Sequence, residues 1–524
     1  MVIFSRRAAC RTDRLSGAPL LTALVVVAAC GGQAGPPEPV EYAAALTSPV
    51  IQNDSFWRDT AGNVLYSQGG GVFKFGSTYY WYGVKYNGAV TYASNPTKRN
   101  TDTSFAAVTC YSSTDLINWK FENNILTPST PGLAVDATTW IGRLGVAYNA
   151  NTKKYVLVSQ YSGPLGTGEL FATSSTPNGS FAFHHIQTSI SNVAYNTTGD
   201  QTIFIDDDGT AYLIASSSHG RANLYVAPLR PSDYLNVDRA TLIFSGSGRE
   251  GNAMFKVNGR YYFCSSDLHG WNASHTYYIS ATNIFGPYSS EGVMGNSDAD
   301  FSHVSQNGLY VTVRGTTQTT VIYAGDRWSD FAGNGLGYNQ WVPLTLNGTT
   351  PVVNSMSEWA LNVASGTWSV GANNNYVLNP TFEADRVLVT RPAGWSTWTN
   401  VSGATPFGNV SGGHTGNFAG HLSYSAGAYQ ASMYQNLSGL PNGTYTLTFW
   451  VKSSGGQATA QVYVKNFGSA EMDAVVNTAL SSWTQRSITG VHVSNGQAQI
   501  GVYTVASANQ WIDIDDYSFV RTGS

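Results

Sequence analysis

One acidic residue of this 524-residue chain stands where it could deliver a proton. Glu250 opens an apolar strand pattern, which leads through an Asn-Gly turn into an aromatic run around Tyr261 and Tyr262. Apolar and aromatic runs on both sides of an Asn-Gly pair predict a β-hairpin. A carboxylic acid that is buried at the mouth of such a hairpin stays protonated near neutral pH and can act as a general acid. Glu250 is therefore the first candidate for a catalytic residue.

The hairpin that carries Glu250 belongs to a repeated pattern. Five aromatic strand centres follow Gly, Asn or Lys turns, at Tyr79, Tyr155, Tyr212, Tyr261 and Tyr310. Their separations of roughly 50 to 75 residues match a four-stranded antiparallel sheet with its turns. Turn pairs such as Asn307-Gly308 separate the strands. We predict an all-β chain in which residues 46–371 form a five-bladed β-propeller, with a sandwich or a barrel as the alternative arrangement of these strands.

A second all-β domain is predicted at the C-terminal end. After Trp359 the aromatic pattern gives way to glycines and to an Asn run at residues 373–375, which predicts a linker. Short alternating strands such as residues 443–452 follow. They predict that residues 376–524 form a jelly-roll-like β-sandwich.

The N-terminal residues are typical of an export signal. Residues 1–30 contain four arginines and then an apolar stretch that is too short to span a bilayer. The stretch ends in Val-Ala-Ala-Cys, which resembles a bacterial lipoprotein signal and makes Cys30 the expected lipidation site. An ordinary secretory signal that is cleaved near Ala29 or Ala34 is the alternative. Residues 31–45 read as a tether, so the mature protein is expected outside the cell, with a lipid anchor as its only contact with the membrane.

The composition favours a neutral, hydroxyl-rich ligand. Only 11% of the residues are charged while 13% are aromatic, and the formal net charge is −4. Without a basic patch in the body of the chain, nucleic acid is excluded as a partner. The nine histidines show no spacing typical of a zinc site, and Cys110 and Cys264 are expected to be buried free thiols. We expect a monomer whose catalysis requires no cofactor.

Short motifs between Asn53 and Gly371 together resemble glycoside hydrolase family 43, and within it the exo-β-1,3-galactanase group. The matching segments are residues 56–62, 69–72, 79–83, 111–119, 206–209, 250–256, 270–272, 305–306 and 325–328. The resemblance implies an inverting, exo-acting hydrolase that releases galactose from β-1,3-galactan or arabinogalactan. It assigns the general acid to Glu250. It also assigns Asp200, before the third predicted sheet, to orient the acid and raise its pKa.

The catalytic base is the point at which the pattern departs from most of this family. Most members place an Asp in the first blade, but residues 66–73 contain no carboxylate. The galactanase group also lacks this Asp, and the resemblance suggests that Gln306 positions the attacking water instead. An amide is a weaker base than a carboxylate, so Asp298 and Asp300 remain alternatives.

Two departures from the galactanase pattern leave the sugar open. Ser67-Gln68 and Val84 stand where relatives carry Ala-His and Glu. β-D-Galactofuranosidase and α-L-arabinofuranosidase activities are therefore alternatives, and so is a surface lipoprotein that binds glycans without hydrolysing them. The expected substrate contacts are Gln68, Tyr82, Lys85, Trp271 and Trp328.

The C-terminal half resembles the sandwich carbohydrate-binding modules of bacterial glycosidases. In that resemblance Glu383 and Asp515 help to hold a structural calcium ion, and solvated edge carboxylates are the alternative. Aromatic faces can stack on sugar rings, although at least two of the four candidates are expected in the core. These candidates are Trp395, Trp398, Tyr429 and Trp450.

Overall fold

The computed structural model describes residues 49–95, 100, 102–328 and 338–523. The predicted signal, the lipidation site Cys30 and the tether lie outside these residues. The described chain is almost entirely β-structure, with two short helices, α1 (Asn87–Ser94) and α2 (Phe301–Val304), and one 3₁₀ turn, Ala194–Asn196. The prediction of an all-β chain is confirmed. Within the described residues, no helix has the length and apolar character needed to cross a membrane.

The first strand, β1 (Val50–Gln52), is followed by five four-stranded antiparallel sheets. The first sheet contains β2 (Gln68–Phe75), β3 (Thr78–Tyr86), β4 (Phe105–Ser113) and β5 (Lys120–Leu126). The second contains β6 (Trp140–Asn149), β7 (Lys154–Gly163), β8 (Gly166–Ser174) and β9 (Ala182–Gln187). The third contains β10 (Thr198–Ile205), β11 (Ala211–Ser217), β12 (Asn223–Pro228) and β13 (Thr241–Ser245). The fourth contains β14 (Glu250–Val257), β15 (Arg260–Ser266), β16 (Thr276–Ala281) and β17 (Gly292–Val293). The fifth contains β18 (Gln306–Arg314), β19 (Thr319–Arg327), β20 (Tyr338–Asn347) and β21 (Thr350–Val353).

The five sheets close into a ring through their first strands. Each of β2, β6, β10 and β14 contacts the first strand of the next sheet, and β18 contacts β2. We call this arrangement the five-sheet ring. At least half of the residues of each first strand are buried, and in β14 all but one are. Residues at the start of these strands therefore meet at one end of the ring.

A β-bulge interrupts the start of every first strand. The pairing register shifts within the first few residues of β2, β6, β10, β14 and β18. In β2 and β14 a glycine, Gly69 or Gly251, adopts a positive φ there, of 60° or 59°. A bulge redirects the neighbouring side chains and is common beside active sites. The same end of the ring thus collects redirected side chains from all five sheets.

The bulge in β18 corrects two details of the predicted repeat. Asn307-Gly308 lies inside β18 rather than in a hairpin turn. A Cβ at Gly308 would stand 2.6 Å from the Ala324 carbonyl oxygen, so the glycine allows a close approach of two strands. Tyr310 consequently lies in a first strand, whereas the other four repeated tyrosines lie in second strands.

The predicted linker is largely strand. Strands β22 (Glu358–Asn362) and β23 (Thr367–Val370) form a three-stranded sheet with β1, in which Ile51 pairs with Trp359. The short connection that follows is held by side-chain amides. Asn374 accepts hydrogen bonds from the backbone of Ser357 (2.9 Å), and Asn375 donates to the Tyr517 carbonyl oxygen (2.9 Å).

Two five-stranded antiparallel sheets that share one apolar core complete the chain. We call them the C-terminal sheet pair. The strands are β24 (Ser396–Thr399), β25 (Phe407–Ser411), β26 (Phe418–Ser423), β27 (Tyr429–Ser438), β28 (Gly443–Ser453), β29 (Thr459–Lys465), β30 (Met472–Val475), β31 (Leu480–Val493), β32 (Gln497–Ala506) and β33 (Trp511–Gly523). The orders are β24-β27-β32-β29-β30 and β25-β26-β33-β28-β31. Burial alternates strictly along β28, as its sequence predicts.

Candidate active site

The bulged end of the ring brings together the three residues predicted to carry the chemistry. Glu250, Asp200 and Gln306 lie at or near the start of β14, β10 and β18. Gln306 Nε2 donates to Glu250 Oε1 at 3.0 Å. Arg221 Nη1 bridges the two carboxylates, at 2.6 Å from Glu250 Oε2 and 3.0 Å from Asp200 Oδ1. The predicted residues therefore form one cluster of hydrogen-bonded side chains.

The surroundings of Glu250 suit a carboxyl group that holds a proton at neutral pH. Its side chain is 9% exposed. Burial, reinforced by the negative charge of Asp200, raises the pKa of Glu250 to about 7, although Arg221 and Arg143 act in the opposite direction. A group whose pKa lies near the working pH can both give up and regain a proton, which is what a general acid must do.

Asp200 remains an anion in the same cluster. Burial alone would raise its pKa, but Arg143 and Arg221 hold the pKa of Asp200 below its ordinary value. Its Oδ2 accepts hydrogen bonds from Arg143 Nε at 3.1 Å and from the Gly251 backbone N–H at 2.9 Å. Because Gly251 directly follows Glu250, Asp200 also fixes the bulge that aims the acid. The two carboxylates thus differ in charge because their partners differ.

The Arg143 side chain connects the second sheet to the third and fifth sheets. Its guanidinium donates to Asp200 of the third sheet, and its Nη2 donates to Gln306 Oε1 of the fifth at 2.7 Å. It also contacts Asp326 of β19, with Nη1 3.3 Å from Oδ2. Asp326 Oδ1 in turn accepts from the Gly69 backbone N–H of β2 at 3.1 Å, and burial raises the pKa of Asp326 to about 6. Asp326 therefore ties β2 to the arginine.

Gln306 uses all four hydrogen-bonding positions of its amide within the protein. Its nitrogen donates to Glu250 and to the Gly270 carbonyl oxygen (2.9 Å), while its oxygen accepts from Arg143 and from Trp328 Nε1 (2.9 Å). An amide has two donors and accepts two hydrogen bonds. In this arrangement Gln306 orients Glu250, and binding a water would require that it release one of these partners.

Aromatic rings pack around the cluster. Trp271 lies against Trp328, with ring centroids 4.6 Å apart, and against Trp140 at 5.5 Å. Trp140 stacks on Tyr86 at 5.4 Å. Trp328, predicted to be a sugar platform, is only 2% exposed and makes its hydrogen bond to Gln306. Trp328 therefore packs beside Gln306 and fixes its position, whereas Trp271 is partly exposed.

Two predicted substrate contacts lie elsewhere. Tyr82 is fully buried in the apolar core, and its hydroxyl donates to the Pro177 carbonyl oxygen at 2.8 Å, so the prediction of a sugar contact is corrected. Lys85 places its ammonium 4.9 Å from the centroid of the Tyr66 ring, in a cavity that is lined by residues of the first sheet and the preceding loop. No contact joins Lys85 to the Glu250 cluster among the described residues.

Gln68 and the alternative bases, Asp298 and Asp300, lie apart from Glu250. Gln68 lies at the start of β2, is 4% exposed, and its Nε2 is 3.5 Å from the Arg327 carbonyl oxygen. Asp300 is 1% exposed and accepts from the His303 backbone N–H at the start of α2. Asp298 lies on the exposed surface. None of these three side chains hydrogen-bonds to Glu250.

The predicted calcium ligands approach one loop of the C-terminal sheet pair. Glu383 Oε1 accepts from the backbone N–H groups of Asn417 (2.6 Å) and Phe418 (2.7 Å). Asp515 Oδ2 accepts from those of His414 (2.6 Å) and Thr415 (3.2 Å). Both carboxyls are buried, and burial raises the pKa of Glu383 to about 7 and that of Asp515 well above its ordinary value.

These contacts fit a calcium site only in part. Two buried carboxylates suit a hard cation, but all four of their oxygens already accept hydrogen bonds. The second oxygen of Glu383 accepts from Asn417 Nδ2 (3.2 Å), and the second oxygen of Asp515 accepts from the Asp516 backbone N–H (2.8 Å). Within the described residues, no group of three or more His, Cys, Asp or Glu side chains surrounds a common point.

The aromatic candidates of this domain divide as predicted. Trp395 and Tyr429 are buried in the core, whereas Trp398 is 47% exposed and Trp450 is partly exposed. The exposed Trp398 lies near Tyr503, with ring centroids 6.5 Å apart.

Charged residues around the acid complete the site, and sequence reasoning did not find their roles. Arg143, Arg221 and Asp326 are not among the residues that the sequence predicts for the site. Both arginines adopt a positive φ, of 38° and 51°, which is costly for a residue with a side chain and recurs at functional sites. The segment Gly325–Trp328 was a usable signal for Asp326, because it matched the family pattern. Arg221 had none, since it lies in a loop.

Comparisons with known proteins identify the family and the fold. Residues 77–337 match the family described as Glycosyl hydrolases family 43. An exo-beta-1,3-galactanase from Phanerochaete chrysosporium, solved with beta-1,3-galactotriose, is 23% identical with a TM-score of 0.55, covering 89% of this chain and 100% of that chain. An exo-beta-1,3-galactanase from Clostridium thermocellum is 20% identical with a TM-score of 0.53, covering 90% of this chain and 100% of that chain. At these identities the likeness shows a common fold.

A curated relative is named for a transferase activity. A 1,6-alpha-glucosyltransferase from Sporosarcina globispora is 25% identical over 314 residues, which are 54% of this chain. The chain spans only 23% of the length of that protein. The family match, with the carboxyl cluster at the end of the ring, confirms the predicted family: this chain belongs to family 43 of the glycosyl hydrolases.

Proposed function

We propose that this family 43 glycoside hydrolase is an exported, inverting, exo-acting galactosidase that releases galactose from β-1,3-galactan or arabinogalactan. In this proposal the five-sheet ring is a five-bladed propeller with the active site at its bulged end. The C-terminal sheet pair is a sandwich that binds carbohydrate. The buried Glu250, with its pKa near 7 and its direct bonds to Arg221 and Gln306, is the observation that carries the proposal.

Glu250 acts as the general acid. Its proton passes to the glycosidic oxygen as the bond to the sugar breaks, so that the leaving alcohol departs neutral. The carboxylate that forms keeps one donor that is already in place, Arg221 Nη1 at 2.6 Å. This donor needs no reorganisation as charge develops on Glu250. Asp200 keeps the proton on Glu250 until the substrate is bound.

Gln306 remains the proposed residue for positioning the attacking water. In inverting glycosidases about 6.5 to 9.5 Å separates the acid from the group that activates the water, to leave room for that water. Gln306 Nε2 is 3.0 Å from Glu250 in this structure. The proposal therefore requires that the entering sugar displace the amide of Gln306 from Glu250. Glu250 would then exchange its hydrogen bond with Gln306 for one with the leaving-group oxygen. This displacement is therefore the first step.

The substrate is proposed from the solved relatives, two of which are exo-beta-1,3-galactanases. Trp271, partly exposed beside the cluster, is the proposed ring platform. A test measures the monosaccharides released from β-1,3-galactan, galactofuranan and arabinan by wild type and by Glu250→Gln. We expect galactose from β-1,3-galactan with wild type alone. Arabinose or galactose from another polymer would reassign the sugar, and retained binding without any product would favour a glycan-binding protein.

Export and anchoring are proposed from the first thirty residues. If Cys30 carries a lipid, the full chain will fractionate with membranes and Cys30→Ser will release it or leave it unprocessed. An unchanged distribution would favour the ordinary secretory signal.

A further inference from the structure

The segment that precedes the C-terminal sheet pair contacts the active-site end of the ring through a half-buried arginine, Arg386. Arg386 precedes β24, adopts a φ of 69°, and its side chain is 13% exposed. Its Nη1 donates to the Ala273 carbonyl oxygen at 2.7 Å and lies 3.4 Å from Asp267 Oδ1. Its guanidinium lies 4.7 Å from the centroid of the Phe301 ring. One side chain thus binds two segments of the ring domain.

Both of these segments position groups of the Glu250 cluster. The loop of residues 267–275 presents the Gly270 carbonyl oxygen to Gln306 and carries Trp271. Phe301 begins α2, which ends two residues before Gln306. The two segments are also tied to each other, because Ser302 Oγ donates to the Ser274 carbonyl oxygen at 3.1 Å.

The backbone of α2 requires such support. All four of its residues have a positive φ, between 52° and 57°. A left-handed turn is unfavourable for residues with a side chain, so it persists only where its surroundings enforce it. A small apolar cluster of Ala273, Val304 and Ala384, together with the Phe301 ring, packs at this contact. The C-terminal sheet pair therefore supplies part of the enforcement.

We infer that Arg386 is a positioning residue of the active site, through which the C-terminal sheet pair holds the 267–275 loop and the turn before Gln306. The inference rests on the proposed function. It gives this domain a part in catalysis that is separate from binding carbohydrate. Removal of the arginine would loosen Gly270 and Gln306, and with them the orientation of Glu250.

Charge provides a second link to the acid. Glu250 faces Asp200, Arg221, Arg143 and Asp267, and the negative charge of Asp267 raises the pKa of Glu250. Asp267 itself faces Arg386, His269, His275 and Tyr277. Without Arg386 the charge of Asp267 is less compensated, so the proton on Glu250 is held to higher pH.

The test compares Arg386→Met, Arg386→Lys and the control Arg521→Met by the pH dependence of kcat/KM on β-1,3-galactobiose. Arg521 belongs to the same domain and donates to the Asn442 carbonyl oxygen, far from the contact in sequence. We expect Arg386→Met to lower kcat about tenfold to a hundredfold, as small misplacements of catalytic groups do. In Arg386→Met the fall of kcat/KM at high pH, the basic limb of the profile, should move to higher pH. Arg386→Lys returns the limb towards wild type while kcat recovers in part, and Arg521→Met changes neither.

Asp267→Asn keeps the test decisive if Arg386→Met does not fold. It removes the charge without removing the bond from Arg386 to Ala273, and it should move the basic limb to lower pH. A wild-type profile in Asp267→Asn and in whichever of Arg386→Met and Arg386→Lys folds, with only a lower Tm, would overturn the inference and leave the proposed function intact. A wild type that is inactive on galactobiose would overturn the proposed function itself.

Discussion

Replacement of Arg221 by Met should shift the fall of kcat/KM at high pH to higher pH values. Arg221 Nη1 lies 2.6 Å from Glu250 Oε2, and it lowers the pKa of a carboxyl that burial and Asp200 raise to about 7. At that separation, even with the dielectric constant of water, the attraction is roughly 1.6 kcal/mol, or about one pKa unit. This low value is appropriate because the Arg221 side chain is 30% exposed.

The direction of this pH shift follows from the role of Glu250. The acid must be protonated, so kcat/KM falls as pH rises through the pKa of the free enzyme. With Arg221→Met that fall should move from near pH 7 to near pH 8, about one pH unit. The assay is kcat/KM on β-1,3-galactobiose between pH 4 and pH 10. Asp200→Asn is the matched control of opposite charge and should move the fall to lower pH. The two substitutions remove opposite charges, so they must shift the pH profile in opposite directions. A shift of both profiles in the same direction would refute the reasoning.

Three further predictions concern residues outside the acid. Tyr82→Phe should leave kcat/KM unchanged and cost about 1 kcal/mol of stability, because it removes only the bond to Pro177; a large loss of activity would return Tyr82 to the site. Glu169→Gln should raise Tm at pH 8 but not at pH 4, because burial raises the pKa of Glu169 from 4.5 to about 7 and the folded state loses up to about 3 kcal/mol as pH rises through that range. Equal Tm changes at both pH values would contradict this. If calcium binds the C-terminal sheet pair, a chelator should lower the Tm of wild type but not of Glu383→Gln. If a chelator leaves the Tm of wild type unchanged, the prediction of a structural calcium ion is wrong.

The family resemblance supplied the three residues of the acid cluster, and the repeat places them together. Glu250, Asp200 and Gln306 lie at or near the starts of equivalent strands, so a correct repeat brings them to the same end of the ring. The bulges that aim them have no clear sequence signal beyond scattered glycines such as Gly69 and Gly251. The misplaced Asn307-Gly308 turn shows this, because the same dipeptide serves a hairpin or a bulge.

Residues whose surroundings come from distant segments could not be predicted. Tyr82 lies in a strand that neighbouring sheets cover on both faces, so alternation along the strand does not reveal which aromatic rings face the site. Arg221 reaches Glu250 from a loop, and Arg386 reaches Asp267 across more than a hundred residues. Such pairs are set by tertiary packing, which local patterns do not record.

The most direct test of the central role of Glu250 compares Glu250→Gln with wild type on two galactosides. β-1,3-Galactobiose has a leaving group that requires a proton, whereas a dinitrophenyl β-galactoside does not. General acid catalysis contributes about a hundredfold to ten-thousandfold. We expect a loss of that size on galactobiose and a small loss on the dinitrophenyl substrate. Equal losses on both substrates, or none on either, would contradict the assignment of Glu250 as the acid.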